Sequence, residues 1–207
     1  MKPSEYLKTM KKNYKVQTHV DKRECESKVD TIFRHVKAMG DIHRLAGVFT
    51  IQPYTVALHC YYTAILFQEI AMVSGIKFNT TEVDFILKHD ILETITGDLL
   101  LPVKSFSENT KRKWEEIETE LVEKKYVYLF WFTDKHAKNY FSTESFNLFK
   151  ACDLFELYLF CLSETYLGNN SDGVWTVIRN CENLLPQFDV PYITNYVNNI
   201  KSRGSIG

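Results

Sequence analysis

The stretch that most constrains this chain runs from Tyr54 to Val73. It is apolar almost all the way round (Val56, Ala57, Leu58, Tyr61, Ala64, Ile65, Leu66, Phe67, Ile70). A helix of that kind has no face to give to water, so it is expected at the centre of a helical assembly. Pro53 suits its first turn, and Gly75 lies just past its end. One histidine, His59, is enclosed in the run. By itself such a residue is more often a satisfied core histidine than a ligand.

The remaining segments supply helices to surround it. From Glu24 to Met39 the apolar positions Val29, Ile32, Phe33, Val36 and Met39 recur at threes and fours, which predicts a helix with one buried face before Gly40. Asn79-Thr80-Thr81-Glu82 reads as a helix start with Thr80 or Thr81 as cap. That helix is expected to carry His89 and Asp90 on to about Thr96, with Gly97 closing it. Ser107-Glu108 opens a charged helix whose narrow buried stripe is Trp114, Ile117, Leu121 and Val122. Ser142-Thr143-Glu144-Ser145 caps a long apolar helix whose first half is interrupted by one strong acid, Asp153. Beyond Gly168-Asn169-Asn170-Ser171, two more helices are expected near 172–184 and 189–202. Strand-like alternation is absent, so the fold class is all-α.

At 207 residues the chain suits one substantial domain. The expected organisation is a basic extension over 1–23, a helical domain over 24–202 and a tail over 203–207. A net charge of -1 gives no overall attraction to nucleic acid or to a membrane surface. No apolar run is read as long enough to cross a bilayer, and the lysine-rich amino terminus lacks a signal peptide's apolar core. The five cysteines never form a CxxC pair, and they read as reduced, mostly buried thiols of a cytoplasmic protein. The aromatics of 126–140 (Tyr126, Tyr128, Phe130, Trp131, Phe132, Tyr140) suit core packing or a second subunit, hence a homo-oligomer.

The polar outliers on these apolar helices carry the chemistry. His59, the adjacent pair His89-Asp90, and Asp153 offer two imidazoles and two carboxylates. That set is sufficient for one divalent transition metal (cobalt, manganese, zinc or iron) with positions left for water and substrate. Glu93 follows His89 by four residues and Asp90 by three, which on a helix places its carboxylate on the same face. A free acid beside a metal pair suits proton transfer from an attacking water.

The order His59, His89-Asp90, Asp153 resembles the HD superfamily of metal-dependent phosphohydrolases. The string His89-Asp90-x-x-Glu93-x-x-x-Gly97-Asp98-x-x-x-Pro102-Val103-Lys104 resembles its bacterial 5'-deoxynucleotidase branch and related phage nucleotide hydrolases. The likeness spans roughly residues 40 to 170 and includes Arg44, fifteen residues before His59. It implies a single HD-domain helical bundle in which His59, His89, Asp90 and Asp153 hold the metal. It further implies that Glu93 steers or deprotonates water, Asp98 accepts a sugar hydroxyl, and Arg44 and Lys104 neutralise phosphate.

Two positions depart from the branch. Leu58 stands where an acid usually precedes the first histidine, and Leu45 where an aromatic often follows the arginine. The first bears on what orients His59, the second on how a base is held. The implied reaction is hydrolysis of a deoxynucleoside 5'-monophosphate to deoxynucleoside and phosphate. The alternatives are a triphosphohydrolase acting on a dNTP and an inactive nucleotide-binding module.

Overall fold

A computed structural model describes residues 22–98, 107–124, 137 and 139–204, without the side chains of 22–28, 122–124 and 203–204. The chain divides into two compact units, Met1–Arg34 and His35–Gly207. Among the described residues, helices and one isolated bridge (His43 with Thr55) make up the regular structure, as the all-α expectation requires.

Helix α1 (Lys22–Ala38) begins in the first unit. Its expected buried face is not found there, since Val29 and Phe33 are exposed. Within the second unit Val36 is also exposed and only Met39, just past the helix, is buried. Periodicity reports an apolar stripe, not what covers it.

Helix α2 (Val56–Ser74) starts three residues after Pro53, because Thr55 caps it by accepting from the Leu58 amide. Gly75 ends it at φ 71°, a left-handed corner that favours glycine. One side is buried, with Val56, His59, Cys60, Thr63, Phe67 and Ile70 inward. Leu58, Tyr61, Ile65 and Met72 on the other side are exposed, so the helix is central on one side only. By length and composition it also passes for a bilayer-crossing segment, contrary to the sequence reading. In the fold it packs chiefly against α6.

Helix α3 (Thr80–Ile86) is capped by Asn79, not by a threonine. The Asn79 side chain accepts from Glu82 N while the Asn79 amide donates to Glu82 Oε2 at 2.6 Å. The predicted continuous helix to Thr96 is broken: residues 87–92 form successive turns, and α4 (Glu93–Thr96) follows. Bonds from Lys88 N to Phe85 O, Ile91 N to Lys88 O and Glu93 N to Asp90 O, each 2.9 Å, carry the tighter i to i−3 pattern.

Helix α5 (Glu108–Lys124) is the charged helix, though Ile117 of its expected stripe is exposed. Helix α6 (Thr143–Tyr166), capped by Ser142, is the longest among the described residues and packs against α2 across the core. Helix α7 (Asp172–Leu184), a 3-10 turn (Leu185–Phe188) and α8 (Pro191–Gly204) close the bundle. The main core joins Phe67, Phe85, Phe149, Phe155, Ile178 and Ile193. A smaller cluster of Met39, Val56, Cys60, Ile91 and Leu92 fixes the chain directly after His89-Asp90. Lys104 and the aromatics of 126–136 lie outside the described residues.

Candidate metal centre

Three elements deliver the four outliers to one place. His59 comes from the first turns of α2, His89 and Asp90 from the turns after α3, and Asp153 from the middle of α6. His59 Nε2 lies 3.0 Å from Asp153 Oδ1 and 3.7 Å from Asp90 Oδ2. His89 Nε2 lies 3.5 Å from Asp90 Oδ2 and 3.9 Å from Asp153 Oδ1. The two rings are 5.2 Å apart between centroids.

The donor set fits a divalent transition metal. His89 Nε2 is buried and has no hydrogen-bond partner among the described residues, a costly state for a ring nitrogen unless it has a ligand to serve. Bonds of about 2.1 Å in a tetrahedron put ligand atoms about 3.4 Å apart, and the four separations bracket that spacing. His59, His89 and Asp90 alone form a compact potential ligand group.

Each ring is oriented from its far side. His89 Nδ1 lies 2.7 Å from Ile86 O, with Cys60 Sγ at 3.5 Å, and its ring meets the Phe149 edge. His59 Nδ1 lies 2.6 Å from Glu156 Oε2. Tyr54 Oη donates to that same carboxylate oxygen at 2.5 Å, and its ring stacks on Phe160. Leu58 is turned to the exposed side of α2.

Arg44 Nη1 pairs with Asp90 Oδ2, and the guanidinium lies over the Tyr54 ring at 5.8 Å. Its backbone is held by donation to Tyr54 O at 2.8 Å. Leu45 takes a left-handed backbone, φ 59°, and its amide donates to Asp98 Oδ2 at 3.0 Å. Gly97 supplies the positive φ that turns the chain into Asp98. Glu93 is buried, and its charge adds to those acting on Arg44. Lys150 Nζ stands 3.3 Å from Asp153 Oδ2 and over the Phe149 ring.

The charges are strongly interdependent. Burial disfavours ionisation of Asp90 and Asp153, yet His89 and Arg44 hold Asp90 below the usual carboxylate range. Lys150 and the histidines hold Asp153 well below it. Burial also opposes a charged His89, but Asp90 raises its pKa well above the ordinary imidazole value. For His59, burial and the Arg44 charge are outweighed by hydrogen bonds to Asp153 and Glu156, and its pKa rises.

Of the residues named from sequence, the structure thus brings together His59, His89, Asp90, Asp153 and Arg44, with buried Glu93 near Arg44 and Asp98 one hydrogen bond from Leu45. Tyr54, Lys150 and Glu156 were missed. The signal for Glu156 was present: an acid one helical turn after Asp153 within Leu154-Phe155-Glu156-Leu157.

A helical bundle in which two histidines and two aspartates converge from three elements is the arrangement of the HD-domain class of metal-dependent phosphohydrolases. The sequence model of the family described as 5'-deoxynucleotidase YfbR-like matches residues 31–203, and this chain belongs to that family. The 5'-deoxynucleotidase YfbR of Escherichia coli is 28% identical over 151 residues, spanning 67% of this chain and 74% of the relative. That of Salmonella paratyphi B is 28% identical over 153 residues, spanning 69% and 76%. An HD-domain phosphohydrolase from Listeria innocua has a similar fold, with TM-score 0.66, 18% identity and coverage of 84% and 88%. The cyanophage S-2L HD phosphohydrolase DatZ, solved with dA and one catalytic zinc ion, gives TM-score 0.60 at 18% identity, covering 82% and 96%.

Proposed function

We propose that this chain is a metal-dependent 5'-deoxynucleotidase that hydrolyses a deoxynucleoside 5'-monophosphate to deoxynucleoside and phosphate. The observation that carries the reading is the convergence of His59 Nε2, His89 Nε2, Asp90 Oδ2 and Asp153 Oδ1 in a chain of the YfbR-like family. A divalent ion bound there supplies Lewis acidity to a phosphoryl oxygen and makes water a better nucleophile at neutral pH. These four side chains would hold the ion.

Arg44 binds the phosphate, exchanging part of its contact with Asp90 for the arriving oxygens, and offsets charge that develops at phosphorus. Glu93 takes the proton of the attacking water. Asp98 retains acceptor capacity beyond its bond from Leu45 and takes a hydrogen bond from a sugar hydroxyl. Lys104, on the family resemblance, contributes a second positive charge toward the phosphate. The enzyme acts on free nucleotides in the cytoplasm, not on nucleic acid or at a membrane, and as a homo-oligomer.

Product analysis tests the reading. With a divalent metal, purified protein is offered a panel of dNMPs, the matching ribonucleotides and dNTPs. Free phosphate from dNMPs is the expected result. Intact triphosphate released from a dNTP would replace it with the triphosphohydrolase reading. Metal binding without any product would make the chain a binding module.

A further inference from the structure

We infer that Glu156, seconded by Tyr54, is the positioning residue that presents His59 to the metal, an inference that rests on the metal reading above. His59 is wholly buried and its two nitrogens face two different carboxylates of one helix. Asp153 and Glu156 are three residues apart on α6, so they project from the same side of it one turn apart. Nε2 meets Asp153 at 3.0 Å, on the metal side, and Nδ1 meets Glu156 at 2.6 Å, on the side away from it.

A carboxylate of this kind accepts only. The oxygen that accepts from Tyr54 Oη also accepts from Nδ1, so Nδ1 is the donor nitrogen and the Nε2 lone pair is the one left for a cation. Glu156 is itself 4% exposed and held by Tyr54, whose ring is fixed by stacking at 3.9 Å on Phe160. Nothing else among the described contacts explains why a carboxylate is enclosed there. A hydrogen-bonded carboxylate behind a ligating imidazole fixes ring and tautomer and increases ligand basicity. Leu58 lies on the exposed side of α2, so the carboxylate behind His59 comes from α6.

The test uses Glu156→Gln, which keeps size and shape, beside Tyr54→Phe and wild type. Metal affinity is read by competition with a chromophoric chelator. Glu156→Gln is expected to weaken metal binding about 10- to 100-fold, with the metal-free melting temperature little changed, and Tyr54→Phe to weaken it less. Excess metal is expected to restore most of kcat in Glu156→Gln, with KM for the nucleotide unmoved. In metal-free protein, a far-downfield His59 Nδ1 proton resonance is expected in wild type and lost in Glu156→Gln.

Unchanged metal affinity in Glu156→Gln overturns the inference and leaves the metal reading standing. So does a His59 proton that persists in that variant. A wild-type protein that binds no metal overturns the metal reading instead, and the proton resonance alone then decides whether Glu156 sets the ring.

Discussion

Both candidate ligand histidines have their Nδ1 side committed to the protein, His59 to Glu156 and His89 to the Ile86 carbonyl. That leaves Nε2 of each ring turned inward with Asp90 and Asp153. Losing one side chain from such a set removes a donor and leaves its neighbours as uncompensated buried charge. His89→Ala and Asp90→Ala are each expected to lose bound metal and phosphate release together, and elemental analysis of the purified variants checks it. Metal retained at wild-type content in both would remove the site. Glu93→Ala is expected to keep its metal and lose about 10²- to 10⁴-fold in kcat. Near-normal turnover would take Glu93 out of the reaction. The four candidate ligands were readable from sequence because each is a polar interruption of an apolar stretch. Glu156 interrupts the same helix but was passed over, since its partner His59 is 97 positions away and spacing on one helix says nothing about contacts with another.

Helical elements set how firmly those residues are held. The run from Asn79 to Thr96 reads as one helix because neither glycine nor proline interrupts it. In the fold it breaks after Ile86, where Ile91 and Leu92 are drawn into the small cluster with Met39, Val56 and Cys60. Burial of those two side chains overrides local propensity and leaves His89 and Asp90 on turns, a placement that periodicity alone cannot reveal. Helix α3 is then short, and its cap matters: Asn79 accepts from Thr81 and Glu82 amides, and Glu82 also accepts from Ser145 of α6. Asn79→Ala is expected to cost about 1 kcal/mol of stability, seen as a lower midpoint in chemical denaturation. An unchanged midpoint would mean that the cap does not anchor α3. Glu164 plays a comparable part at the far end of α6, accepting from the Ile51 and Gln52 amides and from Asn169. Those contacts depress its pKa, so its contribution is present above the ordinary carboxylate range and is lost as pH falls through the depressed value.

At the scale of the whole molecule the site couples stability to metal and pH. Asp90 and Asp153 have lowered pKa values, so their contribution to the metal-free protein is present above the usual carboxylate range and fades only in acid. His59 and His89 have raised values, so theirs is full below the ordinary imidazole pKa and is lost as pH rises through the raised ones. A metal must displace those imidazole protons, and it does so more readily at higher pH. The rise in melting temperature on adding metal is therefore expected to grow from about pH 6 to about pH 8. A metal shift that is flat or shrinks over that range would contradict the coupling. The all-α class and the core position of His59's face of α2 were legible from hydrophobic pattern. The exposure of Leu58, Tyr61 and Ile65 was not, because an all-apolar helix does not say which side its neighbours cover.

On the function proposed above, one metal held by His59, His89, Asp90 and Asp153 drives release of phosphate from a deoxynucleotide. Its most direct test is titration of metal-stripped protein with a divalent ion while phosphate release from a dNMP is followed. No release is expected without metal, and activity is expected to rise and then level off at one ion per chain. Phosphate release that is indifferent to chelation, or that levels off at some other stoichiometry, would contradict it.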